Sequence, residues 1–464
     1  MSSASAPDPG AGDAAPAGTE APLTRGIGLL AATSLNVTNM VGIGPFITIP
    51  LFMTKMGGPQ ALVAWVAAAV VVVCDGLVWC ELAAAFPGSG GTYSFFRHAF
   101  AGTRIAGLMP FLFIWTFLAS GALELASGYI GIAMYLEYVF PGLGGPAGGA
   151  EGILTFTIGR VLMAMCALCL AALLMRRIGA LGKFAVILWA GSMATVLTVI
   201  VSGIVYFDPA LLEIPSGAFK LDDAFFGGLG GAMLIAIYDY FGYYNVCFLG
   251  DEVRNPSKTL PRSVLLSIAF VATVYLMMNL SIIGVIPWQE VIKSEYIGSE
   301  FMERLFGRGV AVAFTFMILW TAIACLFSMT LGYSRIPYAA ARNGDFLRVF
   351  ARLHPEGRYP YVSLGFLGVA SAALCFFELG DVVTGAVALR ILVQHVGQIA
   401  ALHYVRKRRP DVVLPFRMRL YPLPSIIAIV GWTFVLWSSG WVWVVLGMTA
   451  LGCVVYRAWR GRGR

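Results

Sequence analysis

The sequence is short of charge. Only 12% of its 464 residues are Asp, Glu, Lys or Arg, while 59% are hydrophobic and the mean hydropathy is +0.82. A soluble globular chain carries about a quarter charged residues, so that class is excluded. Histidine is scarce as well, at 4 residues, and no cluster of His, Cys and carboxylates has metal-ligand spacing. No nucleophile–base–acid grouping is visible. "FPGSGG" (86–91) lacks the lysine of a phosphate-binding loop, and "GIGPF" (42–46) does not lie between a strand and a helix. An enzyme, a bound metal and a cofactor therefore find no support. The eight cysteines all lie in or beside apolar segments. Cys166 and Cys169 form a C-x-x-C with no second pair or nearby histidine, so they read as small core residues. The short alternating segments of an outer-membrane barrel are missing too.

What the chain does have is repeated apolar runs of about 18 residues or more, the length a helix needs to cross ~30 Å of hydrocarbon. They predict an all-α polytopic membrane protein with twelve spans, near 25–55, 59–86, 105–140, 153–175, 182–207, 226–250, 263–287, 308–340, 361–378, 382–405, 422–439 and 441–458. With the amino terminus in the cytoplasm, the inner connections hold 24 of the 31 basic residues and the outer ones five, while Arg160 and Arg390 fall within spans. That asymmetry predicts a multi-pass protein of the cell (plasma or inner) membrane with both termini cytoplasmic. The net charge of +7 is spread over many short loops, so it reads as topology and not as a nucleic-acid footprint. Residues 1–22, rich in Ala, Pro, Gly and Ser, read as a disordered cytoplasmic tail rather than a signal peptide; 23–464 form one domain.

Two spans are interrupted. "NMVGIGPFITIP" (39–50) carries Gly42, Gly44, Pro45 and Pro50, and "YFGYYN" (240–245) puts Gly242 and a polar cluster at mid-span six. Glycine weakens a helix and proline removes a donor, which is costly where no water can replace it. Spans one and six open two halves of five spans, about 25–207 and 226–405, with extra helices at about 422–458. Paired breaks at corresponding positions point to a carrier built from inverted repeats, each break exposing backbone groups and half-helix dipoles to a central cavity. Close helix packing is the other use of such glycines.

Four stretches carry a family resemblance: "MVGIGPF", "CELAAAFPGSGGTYSFFRHAF", "GDEVRNPSKTLPRS" and "RKRRPDVVLPFRMRLYPLP". In this order, over about 400 residues, they resemble the amino acid–polyamine–organocation permeases. The resemblance implies a LeuT-like five-plus-five fold with two added C-terminal helices, and transport of amino acids or polyamines by alternating access. It implies that a substrate carboxylate rests on the N–H groups of Ile43 and Gly44. The amine then meets carbonyls around Asn39, Met40 and Val41, and around Tyr238, Asp239, Tyr240 and Phe241. Tyr238, Tyr240 and Tyr243, flanking Gly242, fall where the family covers its substrate with aromatics. Pro45 departs from the pattern by replacing an isoleucine, which loses a donor and stiffens the break. The mid-span-five lysine of some proton-coupled members is missing: Lys183 lies at the cytoplasmic end and Ser192 near the equivalent position. No cysteine lies in "PGLGGPAGGAEG" (141–152), so a disulfide-linked heavy chain is not expected.

Ionisable groups at membrane depth suggest function. Glu124 in span three is a candidate for proton coupling or for holding a cationic side chain, or else it pairs with a hydroxyl or with Arg390. Asp239 serves the substrate or coupling, or caps the broken helix; Ser192 and Ser328 complete the coupling-ion candidates. Asp75 reads as structural, Glu81 and Glu252 as partners of arginines near the inner face, and His395 as a hydrogen-bonded packing residue. The reading is a secondary-active amino acid permease, proton-coupled or an exchanger. A polyamine or cationic amino acid carrier is the alternative, and a channel, which wants an open polar pore, stands behind both.

Overall fold

Inside a bilayer a chain must satisfy its backbone internally, and an apolar chain does so as helices. The computed structural model describes residues 26–143, 157–175, 181–355 and 359–461, with backbone alone at 181–186. The 1–22 tail and most of the 141–152 connection lie outside these residues. Among the described residues there is no strand, only isolated bridges such as Ile27 to Val253 and Ser89 to Leu249.

The first apolar run forms α1 (Leu29–Met40) and α2 (Gly44–Met56), bent by 51° across the residues between them. There follow α3 (Leu62–Ala85), the short amphipathic α4 (Thr92–Ala99), α5 (Leu108–Val139), α6 (Ile158–Leu174), α7 (Leu181–Val205) and α8 (Asp223–Tyr240). The second half of the chain gives α9 (Pro256–Ile283), α10 (Trp288–Val291), α11 (Ile297–Phe306), α12 (Arg308–Arg342) and α13 (Tyr361–Leu374). It ends with α14 (Leu379–Arg390), α15 (Gly397–Arg408), α16 (Leu423–Ser438) and α17 (Val442–Gly461). By length and composition seven of the described helices can cross a membrane, or eight if α1 and α2 count as one span; α6, α13 and α16 are shorter apolar helices.

Three features differ from the sequence expectation. After Tyr240 span six does not resume as an α-helix. It turns at Gly242 (φ +108°), then runs as two 3₁₀ turns, Asn245–Phe248 and Gly250–Glu252. Its backbone is drawn outward instead: Val246 N–H donates to Asn36 Oδ1 (2.8 Å) and Gly90 N–H to the Phe248 carbonyl (3.1 Å). Span ten is interrupted by a π-turn, Ile391–Val396, between α14 and α15, although "ILVQHV" holds no Gly or Pro to announce it. The polar connection before α12 folds into α10 and α11.

The helices pack as two groups. In one, α3 lies against α8 and α9, α2 against α8, and α1 against α9; in the other, α5 lies against α6, α12 and α13. Helix α7 joins them by packing on both α9 and α12, and α14 lies on α5. Small residues set the closest approach. At Gly203 of α7 an added Cβ would run into Ser281 of α9.

The end expected to face the cytoplasm is tied shut. Ile27 N–H donates to the Glu252 carbonyl (3.0 Å), and Arg254 N–H to the Ile27 carbonyl (2.9 Å). Arg335 lies 3.8 Å from Glu252. Glu81, fully buried, accepts two bonds from Arg406 (2.6 and 2.7 Å) and one from the Met418 N–H (2.9 Å). Both glutamates thus take the arginine partners expected of them.

Overpacking a close contact costs about 1–3 kcal/mol. Gly203→Leu is therefore expected to lower the thermal unfolding temperature of the detergent-solubilised protein. Gly227→Ala, where an added Cβ meets nothing within 4 Å, leaves it unchanged.

Candidate functional site

The first break creates orphan backbone groups, and side chains from neighbouring helices satisfy some of them. The Met40 carbonyl accepts the Tyr275 hydroxyl of α9 (2.6 Å), and the Asn39 carbonyl accepts the Cys325 thiol of α12 (3.2 Å). Pro45 is the second residue of α2, where a missing N–H belongs to the unpaired first turn anyway. Its place explains why the departure from the family's isoleucine is tolerated. Pro50, deeper in α2, leaves the Phe46 carbonyl without its helical donor. The Tyr135 hydroxyl of α5 fills that role at 2.8 Å and itself accepts the Gly298 N–H (3.2 Å). The N–H groups of Ile43 and Gly44 donate to no backbone carbonyl among the described residues. They stand at the positive end of α2.

The second break meets the first edge on. A Cβ on Gly242 would lie 3.1 Å from Asn39, and φ there is positive, so only glycine fits. Asn36 binds both sides, donating to Ser267 (3.3 Å) while accepting from Val246. Asp239, 2% exposed, accepts Thr48 Oγ1 on Oδ2 (2.5 Å), whereas Oδ1 has no partner and faces Gly44. Both side-chain polar atoms of Asn39, 5% exposed, are also unpartnered.

Between the breaks lies a cavity of about 30 Å³. That is room for a water or two. Asn39, Met40, Gly42, Ile43, Gly44 and Glu124 line it, together with Tyr238, Asp239 and Phe241. Of the other expected site residues, Val41, Tyr240, Gly242 and Tyr243 do not line it. Tyr240 packs on Trp65 of α3, and Tyr243 donates to Asp75 (2.5 Å). Ser192 is buried with its hydroxyl on its own helix, donating to Leu188 (3.1 Å), and Ser328 is half-buried; neither reaches the cavity. Gly128 of α5 and Ala322, Cys325, Leu326 and Met329 of α12 line it as well. Nothing in the sequence marked them, because α5 and α12 are unbroken there.

Two buried polar clusters flank the cavity. Glu124 is ion-paired with Arg390 of α14 and accepts the Tyr333 hydroxyl (2.7 Å); Arg390 also donates to Ser120 (3.1 Å) and Tyr244 (2.9 Å). Of the expectations for Glu124, the pairing with Arg390 is the geometry observed. Asp75, fully buried, accepts Tyr243, His395 Nδ1 (3.1 Å) and Trp432 Nε1 (3.1 Å), which suits a structural role for both Asp75 and His395.

An all-helical arrangement of the described residues with several membrane-length helices is that of a polytopic membrane protein, and the small cavity between its two broken segments is the candidate site. Comparison with known proteins gives the family. The amino acid permease model matches residues 27–456, nearly the whole chain, and the chain belongs to that family, within the amino acid–polyamine–organocation superfamily. It is 25% identical to the branched-chain amino acid permease BcaP of Bacillus subtilis, over 94% of this chain and 93% of that one. It is 27% identical to the human large neutral amino acids transporter small subunit 2 (94% and 80% covered). It is 24% identical to the serine/threonine exchanger SteT of Bacillus subtilis (90% and 91% covered). These relatives are transporters and not enzymes, which bears out the reading of a non-enzymatic amino acid permease; exchange occurs among them.

Removing one member of a buried ion pair strands the other, at about 3–5 kcal/mol. Arg390→Met is expected to destabilise the solubilised protein by that order. Adding Glu124→Gln restores most of the loss in a double-mutant thermal-unfolding cycle.

Proposed function

We propose that this permease carries amino acids across the cell membrane by secondary-active alternating access, with the substrate held between the breaks of spans one and six. The observation that carries the reading is the set of groups left unpaired around the cavity: two backbone N–H donors at Ile43 and Gly44, and unpaired acceptors on Asp239 and Asn39. Donors at a helix N-terminus suit a carboxylate, and the unpaired amide oxygen of Asn39 suits an ammonium. An α-amino acid brings both at short separation. The relatives' named substrates, branched-chain and large neutral amino acids among them, support the same class.

In this reading the fold is the LeuT-like arrangement of two inverted five-span repeats with two added helices. The basic-residue asymmetry supports cytoplasmic termini. Asn39, Met40, Gly42, Ile43, Gly44, Tyr238, Asp239 and Phe241 hold the substrate, while Val41, Tyr240, Gly242 and Tyr243 shape the breaks from behind. Coupling is to protons or to exchange. Glu124 is already ion-paired, which favours Asp239 over Glu124, Ser192 and Ser328 as the titrating group. One observation favours the second reading, a cationic amino acid or polyamine: Asp239 has no cationic partner among the described residues.

Uptake into proteoliposomes tests the proposal, with a panel of neutral and cationic L-amino acids and polyamines and with pH and sodium gradients imposed separately. Saturable, stereoselective uptake of L-amino acids is expected. A non-saturating current, or no uptake of any compound, contradicts it. Gly44→Ala, whose Cβ would strike Asp239 Oδ1, is expected to lower uptake at least about tenfold by pushing that carboxylate off the start of α2, while the protein still folds.

A further inference from the structure

Charge counting around the cavity leaves one group unaccounted for. Glu124 has Arg390, and Asp75 has three donors. Asp239 has a single hydrogen bond, from Thr48, and its free Oδ1 lies against Gly44, the first residue of α2. Among the described residues no cation pairs with it. From α9 the titratable group near it is Tyr275, and on its own helix Tyr238 and Tyr240; Cys325 of α12 and Glu124 of α5 line the same cavity. Helix α3 contributes Asp75, which is held by Tyr243, His395 and Trp432; α14 contributes Arg390, which is held by Glu124. Helix α16 meets α8 through Phe434 and Ser438 at Gly230. The cation that α2 presents along α8, Lys55, packs at Gly231, about two helical turns from Asp239.

We propose that Asp239 takes up one proton each time the site closes on a zwitterionic amino acid, because its carboxylate and that of the substrate share the same helix end. This rests on the amino acid reading above. In the open site water solvates the Asp239 carboxylate. When the site closes, the water leaves and two carboxylates are brought together beside about half a positive elementary charge of helix dipole. The substrate ammonium compensates one of them. A proton on Asp239 Oδ1 compensates the other, and the loaded cavity is then neutral. The proton comes from the aqueous phase to which the site was open and leaves with the substrate on the opposite side, so one proton moves per amino acid and no other group changes charge. Thr48 tunes the step, since its hydroxyl donates to the ionised form.

Wild-type protein in lipid nanodiscs is titrated with L-leucine at several pH values between 5 and 8. The linked uptake of one proton makes apparent affinity fall tenfold per pH unit wherever the open site is ionised, and a pH dye reads one proton absorbed per leucine bound. The amine 3-methylbutylamine, leucine's skeleton without the carboxylate, needs no such proton and does not weaken as pH rises. In Asp239→Asn the leucine binding that remains is the same at pH 5.5 and pH 8, and leucine-driven proton uptake disappears. Thr48→Val, which keeps the carboxylate but removes its donor, moves the pH midpoint of leucine binding upward; this readout does not depend on the asparagine variant folding. Leucine affinity independent of pH with no proton absorbed by the wild type overturns the proposal, as does proton uptake that survives in Asp239→Asn. Absence of leucine binding at every pH, with uptake of no amino acid, instead removes the amino acid reading on which it rests.

Discussion

A backbone interrupted inside hydrocarbon has no water to complete its hydrogen bonds, and the arrangement around spans one and six follows from that constraint. Three carbonyls at the first break are met by side chains from other helices: Tyr275 on Met40, Cys325 on Asn39 and Tyr135 on Phe46. The donors belong to α9, α12 and α5, so satisfying the break also fixes where those helices stand. Among the described residues the N–H groups of Ile43 and Gly44 donate to no backbone carbonyl. In the proposed reading, what looks like a flaw in a spanning helix leaves donors of the polarity that an anion fills.

The same economy governs charge. Two buried acids are answered within the protein, Glu124 by Arg390 and Asp75 by Tyr243, His395 and Trp432, and these clusters bind α5 to α14 and α3 to the second break and α16. Such buried pairs add little net stability but are costly to split, so they act as fixed joints. Asp239 stands apart in having an unpartnered oxygen next to the donors that are also unpartnered. Stable joints around one incomplete centre are what a carrier needs, since the energy of completing the centre is then available to drive closure.

Much of this was legible in the residues. Gly42, Gly44 and Gly242 located both breaks, and the charge-poor composition gave the helical membrane class. The pairing of Glu81 and Glu252 with arginines followed from their place near the inner face. The helical turn of each residue was harder to read. Tyr240 and Tyr243 were expected over the substrate, but α8 continues through Tyr240 and turns it onto Trp65, and the turn at Gly242 sends Tyr243 to Asp75. Cys325 and Met329 escaped notice because an unbroken helix gives no local signal of which face meets a cavity. The π-turn at Ile391–Val396 and the 3₁₀ continuation of span six depend on long-range partners such as Asn36, which no local pattern encodes.

The central claim is that the N–H groups of Ile43 and Gly44 receive a carboxylate. Competition between a transported L-amino acid and its own methyl ester tests it most directly, because the ester keeps the ammonium and side chain and loses only the anionic group. Hydrogen bonds to a charged acceptor contribute about 1.5–3 kcal/mol each, so losing two predicts that the ester binds at least about a hundredfold more weakly. An ester that competes as well as the parent amino acid would contradict the account.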